Sequence, residues 1–191
     1  IPEFGLIALG MTFSFLLGGI DLSLVANANL SGILAAYILA GLSASGFASG
    51  PVILLAVLAA LFSAILLGLL NGVLVAKFSV PPMIATLSTM TFYTGIAMAL
   101  TGGDSITGFP TAFTMFSTST FLGIPSIFLL FLLITVVLGC FLSRTGVGRR
   151  IYLYGENPLA ARFSAINNER LILSVFGLNG LLAGLSGLII I

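Results

Sequence analysis

The chain has 191 residues, a net charge of +1, 59% hydrophobic residues, only 6% charged ones, and a mean hydropathy of +1.29. So little charge cannot cover a water-soluble domain of this size, so the solvent for most of the chain is lipid. One cysteine, Cys140, and no histidine exclude an internal disulfide and the usual transition-metal cages, and no basic patch for nucleic acid is present.

In lipid every backbone N–H and C=O needs an internal partner, which leaves helices or a closed barrel. The apolar runs are continuous rather than alternating, so the sequence predicts an all-α polytopic membrane protein. About six transmembrane helices are expected, over 4–20, 24–42, 51–78, 83–100, 126–142 and 171–191. The first run ends at Gly18-Gly19-Ile20-Asp21-Leu22-Ser23, a helix break whose Asp21 is the only charge between Glu3 and Lys77. Pro51 is expected at the first position of the third helix. Gly68 and Gly72, four apart, let a neighbouring helix approach closely, with Asn71 beside that seam. Pro81-Pro82 marks a second break, which reads as a sharp reorientation or as a re-entrant turn. Residues 101–125 read as a loop rich in Gly, Ser, Thr and Phe. The last run carries one amide, Asn179, and a second close-packing pair, Gly180 and Gly184.

The polar exception is the stretch from Arg144 to Arg170, which holds five of the six basic residues: Arg144, Arg149, Arg150, Arg162 and Arg170. The positive-inside rule places residues 144–170 in the cytoplasm. Alternation then puts Lys77 inside, both 41–50 and 101–125 outside, and Asp21 near the inner side. Asn157-Pro158 reads as a helix start, Asn capping and Pro at the first turn. The helix expected from Pro158 to Ile166 would carry Leu159, Phe163 and Ile166 on one face, a surface suited to another protein.

No catalytic constellation is visible. There is no His, no nucleophile beside a base and no Walker loop, and Gly146-Val147-Gly148 follows a membrane helix and lacks a third glycine. The chain is therefore expected to be no enzyme. Ionisable groups for ion coupling are nearly absent from the spans, although the helix breaks of a secondary transporter are present. The chain begins with Ile and stops within an apolar run, so residues 1–191 are expected to form one transmembrane domain, a fragment of a longer protein.

Several segments then converge. Gly18-Gly-Ile-Asp-Leu-Ser23, Asn71-Gly-Val-Leu-Val-Ala-Lys77, Val80-Pro-Pro-Met-Ile-Ala-Thr-Leu87 and Leu100-Thr-Gly-Gly103 resemble the permease subunits of ribose-type sugar importers of the ATP-binding-cassette family. Residues 148–166, GRRIYLYGENPLAARFSAI, resemble that family's cytoplasmic loop, close to GRxIYAIGGNPxAARxSGI. This chain departs from it at Glu156, where relatives often have Gly, and at Ala165, where many have Gly. The resemblance implies a bacterial inner-membrane protein whose coupling helix sits in a groove of an ATPase subunit. That helix would be formed by Glu156, Asn157, Pro158, Leu159, Ala161, Arg162, Phe163, Ser164 and Ile166. It also implies a second permease subunit, an extracytoplasmic sugar-binding protein, and no cofactor on this chain, ATP being held by the partner ATPase. A neutral sugar needs hydroxyl and amide partners, so Asp21, Ser23, Asn27, Asn29, Asn71, Thr86 and Thr89 are candidate path residues. The alternative is that these side chains bond helix to helix, or that Asp21 caps the helix after it. Other cargoes on the same scaffold (an autoinducer-like furanose, a nucleoside, a branched-chain amino acid) and an ATPase-independent transporter stay open.

Overall fold

A computed structural model describes residues 1–121 and 123–191. Helix α1 spans Pro2–Leu16, α2 Leu24–Ala44, α3 Ser49–Ala76 and α4 Pro82–Thr101. A short α5, Thr111–Thr118, and a two-residue antiparallel pair, β1 Thr120–Phe121 with β2 Ile124–Pro125, lead into α6, Ser126–Arg144. Then come α7 Gly146–Glu156, α8 Pro158–Phe163 and α9 Asn168–Ile190. Among the described residues, α2, α3, α4, α6 and α9 are long and apolar enough to cross a membrane. The expected all-α polytopic fold is what the chain adopts.

The first expected span is shorter than the sequence suggests. α1 has 15 residues, about 22 Å at 1.5 Å per residue against a hydrocarbon core of roughly 30 Å. It stops because Gly18 turns left-handed, φ +76°, a conformation that costs glycine nothing. Pro51 lies two residues inside α3, which starts at Ser49; the first four N–H groups of a helix have no partner there, so the ring is harmless. Pro81-Pro82 is a plain turn between two full spans and no half-helix, since Pro82 opens a 20-residue α4. The 101–125 segment is not a loop throughout, because α5 and the strand pair form within it; Leu122 there lies outside the described residues.

α9 is the central post, packing on α1, α2 and α3. It comes close because it presents glycine. A Cβ on Gly68 of α3 would strike the Phe176 carbonyl oxygen, and one on Gly180 would strike that of Ala64. A Cβ on Gly187 would likewise meet the Ala28 carbonyl of α2. Without a hydrophobic driving force between helices in lipid, this backbone-to-backbone packing is what holds them. Leu6, Phe13, Leu171, Val175 and Leu182 form the apolar core beside the seam, with Ile151 of α7 below.

The two ends of the bundle sort as the charges predict. The ends of α1 and α3, the α3–α4 turn, α7, α8 and the start of α9 surround one cleft of about 760 Å³. At the other end Phe109 and Phe113, from the segment around α5, pack on Ala35, Leu39 and Val52.

Candidate functional site

The break after α1 is held by a buried polar chain. Asp21 is 1% exposed. Its Oδ1 accepts from Ser23 N at 3.0 Å and from Ser23 Oγ at 2.7 Å, and its Oδ2 accepts from Asn179 Nδ2 at 3.2 Å. Asn179 Nδ2 also donates to Ser14 Oγ at 2.7 Å. On the other side Asn71 Nδ2 donates to Ser23 Oγ, and Thr89 Oγ1 to Asn71 Oδ1, both at 2.7 Å. Thr86 completes the joint: its hydroxyl accepts from Leu22 N at 3.1 Å and shares its one hydrogen between Pro82 O at 2.8 Å and Ile20 O at 3.1 Å. One threonine on α4 thereby serves backbone groups on both sides of the break, which would otherwise be orphaned in a dry interior. Five helices meet in this cluster, through Ser14, Ser23, Asn71, Thr89 and Asn179.

The structure thus brings Asp21, Ser23, Asn71, Thr86 and Thr89 together. Asp21 accepts from a backbone N–H two residues on, in the manner of an Asx turn leading into α2, whose N-cap is Ser23. Asn27 stands apart, its Nδ2 on Ala64 O at 3.0 Å across α2 and α3. Asn29 is exposed and lines a cleft of about 270 Å³ with Gly32, Thr94, Ala97 and Met98. Ser14, Asn179 and Tyr93, whose hydroxyl donates to Leu67 O at 2.9 Å, were not among the expected site residues. The signal for Asn179 was its isolation, an amide alone in an apolar span beside a glycine seam.

At the charged end Asn157 is the N-cap of α8, its Oδ1 accepting from Leu159 N at 3.0 Å and Ala160 N at 3.1 Å. The helix is shorter than expected and stops at Phe163, because Ala165 is left-handed with φ +57°. That turn removes Ile166 from the face of Leu159 and Phe163 and packs it against the core under α9. Ala161 also points inward, at 2% exposure, while Leu159 and Phe163 are 68% and 91% exposed. Glu156 and Ser164 are exposed, and Arg162 lines the large cleft with Glu169 and Tyr154. Burial raises the Tyr154 phenol above its ordinary pKa. Asn168 Nδ2 donates to Pro158 O at 3.1 Å, fastening α8 to the start of α9. Helix α7, with Ile151 buried and both arginines outward, was not anticipated; the alternation of Arg149-Arg150, Ile151 and Gly148 was its sequence signal.

A helical bundle with a glycine seam, a buried polar joint and a capped helix on its basic end defines a multi-pass membrane protein. The family model described as the permease component of branched-chain amino acid transport systems matches residues 1–191. The chain belongs to that permease family, and is a multi-pass inner-membrane protein. It is 42% identical over 188 residues to a ribose import permease protein of Bacillus subtilis strain 168, covering 97% of this chain and 56% of the relative. It is 32% identical over 193 residues to the autoinducer 2 import system permease protein of Escherichia coli K12, covering 98% of this chain and 56% of that relative. The same protein of Shigella flexneri gives the same values. The chain therefore spans about half the length of the curated relatives it matches. No solved structure matches it.

Proposed function

We propose that this chain forms part of the permease of an ATP-driven importer for a monosaccharide, and that α8 is where an ATPase subunit grips it. The observation that carries the reading is Phe163, 91% exposed beside Leu159 on a capped helix at the basic end of the bundle. Burying such side chains is worth about 1.5–3 kcal/mol each, so leaving both in water on an ordered helix points to a partner. Asn157 orders the helix, and Leu159 and Phe163 enter the partner's groove. Arg162 stands at the mouth of the cleft, and Ala161 and Ile166 transmit the partner's movement inward to α9. ATP stays on the ATPase, and this chain supplies transport rather than catalysis.

The cargo reading rests on likeness to the ribose permease, with a binding protein outside delivering the sugar and a second permease subunit completing the path. Asn29 faces the cleft between α2 and α4, where a hydroxylated solute finds an amide partner. Asp21, Ser23, Asn71, Thr86 and Thr89 form the joint about which α1, α2 and α4 would shift between inward-open and outward-open states, and Asn27 ties α2 to α3. Likeness to the autoinducer 2 permease supports a second reading, a furanose of that kind on the same scaffold.

The test uses the full-length permease carrying Cys140→Ser and Phe163→Cys, with an ATPase subunit bearing a groove cysteine. A crosslink that changes with ATP is expected; with both proteins folded and no crosslink at Phe163 or Leu159, the ATP-driven reading fails. Uptake of labelled ribose against labelled autoinducer 2 then separates the two cargoes.

A further inference from the structure

Helix α7 lies across the end of the bundle. Gly148 is pressed on the Leu142 backbone at the foot of α6, where a Cβ would collide with the Leu142 carbonyl. Gly155, two turns on, is pressed in the same way on the Leu16 carbonyl at the foot of α1. Ile151, between them on the same face, is 1% exposed. Helix α7 is therefore held at both ends, against the foot of α6 and the foot of α1.

Its outward side is basic and amphipathic. Arg149 and Arg150 are exposed, and Leu153 and Tyr152 beside them are 50% and 46% exposed. Tyr154 lines the central cleft, and at roughly 3.6 residues per turn Arg149 and Tyr152 fall on the opposite flank, away from it. Arg144, also exposed, continues the same surface from α6. It lies seven and eleven residues after Val137 and Leu133, on one helical face with them, and these are 56% and 61% exposed. The apolar stripe of α6 therefore runs straight down into an arginine. Among the described residues none of the three arginines has an ion-pair or hydrogen-bond partner, Glu156 included, although it stands two turns from Arg149.

We propose that α7 lies at headgroup depth and that Arg144 and Arg149, with Tyr152, form a binding surface for the headgroups of anionic phospholipids in the inner leaflet. The guanidinium fork pairs with phosphate oxygens and Tyr152 sits at the interface. This surface is distinct from Leu159 and Phe163 on α8 and does not depend on what the permease carries.

Native mass spectrometry of the full-length permease, released from detergent in equal phosphatidylglycerol and phosphatidylcholine, tests it. Each arginine near an anionic surface adds about fivefold to binding, so retention of phosphatidylglycerol should exceed that of phosphatidylcholine by at least tenfold. Arg144→Gln and Arg149→Gln together should abolish that preference, and the two Lys replacements should restore most of it. Arg162→Gln with Arg170→Gln, removing charge from the same loop off this surface, should leave it intact. If the double Gln protein does not insert, Arg149→Gln alone should still cut the preference about fivefold. Equal retention of the two lipids, or a preference that ignores the Gln substitutions or is displaced by inorganic phosphate, overturns the proposal. So does loss of ATPase co-purification in the Gln variants with lipid retention unchanged, which would assign the arginines to a protein partner.

Discussion

The joint at Asp21 and the helix at Phe163 treat polarity in opposite ways. Around Asp21, polar side chains from five helices are almost completely buried and spend their hydrogen bonds on one another. On α8 only the cap is spent internally, and the largest apolar side chain is left in water. In a lipid-embedded bundle an unpaired buried polar group costs more than it returns, so a polar cluster there must be closed on itself. At the water-exposed end the costly group is an uncovered phenylalanine. The first region finds nearly all of its partners within the chain, the buried Asn179 Oδ1 being the atom of the joint left without one; the second leaves Phe163 uncovered.

The largest effect should come from the seam that carries the joint. Gly180→Leu drives a side chain into the Ala64 backbone and should abolish folded protein, read as loss of the monodisperse peak in detergent. Asp21→Ala leaves the hydroxyl and backbone N–H of Ser23 and one amide N–H of Asn179 without their Asp21 acceptor. It should lower stability by about 2–4 kcal/mol, while Asp21→Asn, which keeps an acceptor, should lose less. Thermal unfolding of the purified permease distinguishes them, and equal losses would mean that the joint is not closed as described. Ala165→Gly should stabilise by up to about 1 kcal/mol, because the left-handed backbone at φ +57° strains any residue with a Cβ. Phe163→Ala should change stability least, within roughly 0.5 kcal/mol for an exposed position, and yet abolish uptake. A stability loss above 2 kcal/mol would show that Phe163 is covered by the chain itself and break the contrast between the two regions.

Much of the bundle was legible because the solvent dictated it. Continuous apolar runs gave five long helices to within a few residues, and the glycine pairs at Gly68 and Gly180 marked the seam they form. The cap at Asn157 was legible for the same reason that helix caps usually are, since an Asn before Pro has few other uses. The end of α8 was not, because a hydrophobic spacing through Ile166 fits a longer helix, and nothing local shows that Ala165 turns left-handed. Nor could the list of polar residues in the spans say which would meet. Asn29 and Asn27 are two residues apart, yet one faces a cleft and the other a backbone carbonyl on α3.

Composition alone fixed the membrane and the helical class. Partnership was decided by the tertiary structure. Asp21 meets Asn179 across 158 positions of sequence, and it does so because backbone contact at Gly180 and Gly187 brings α9 into the centre of the bundle. Hydrogen bonds in a dry interior depend on a few ångströms of helix separation and on rotation about each axis, and both are settled by how neighbouring helices pack.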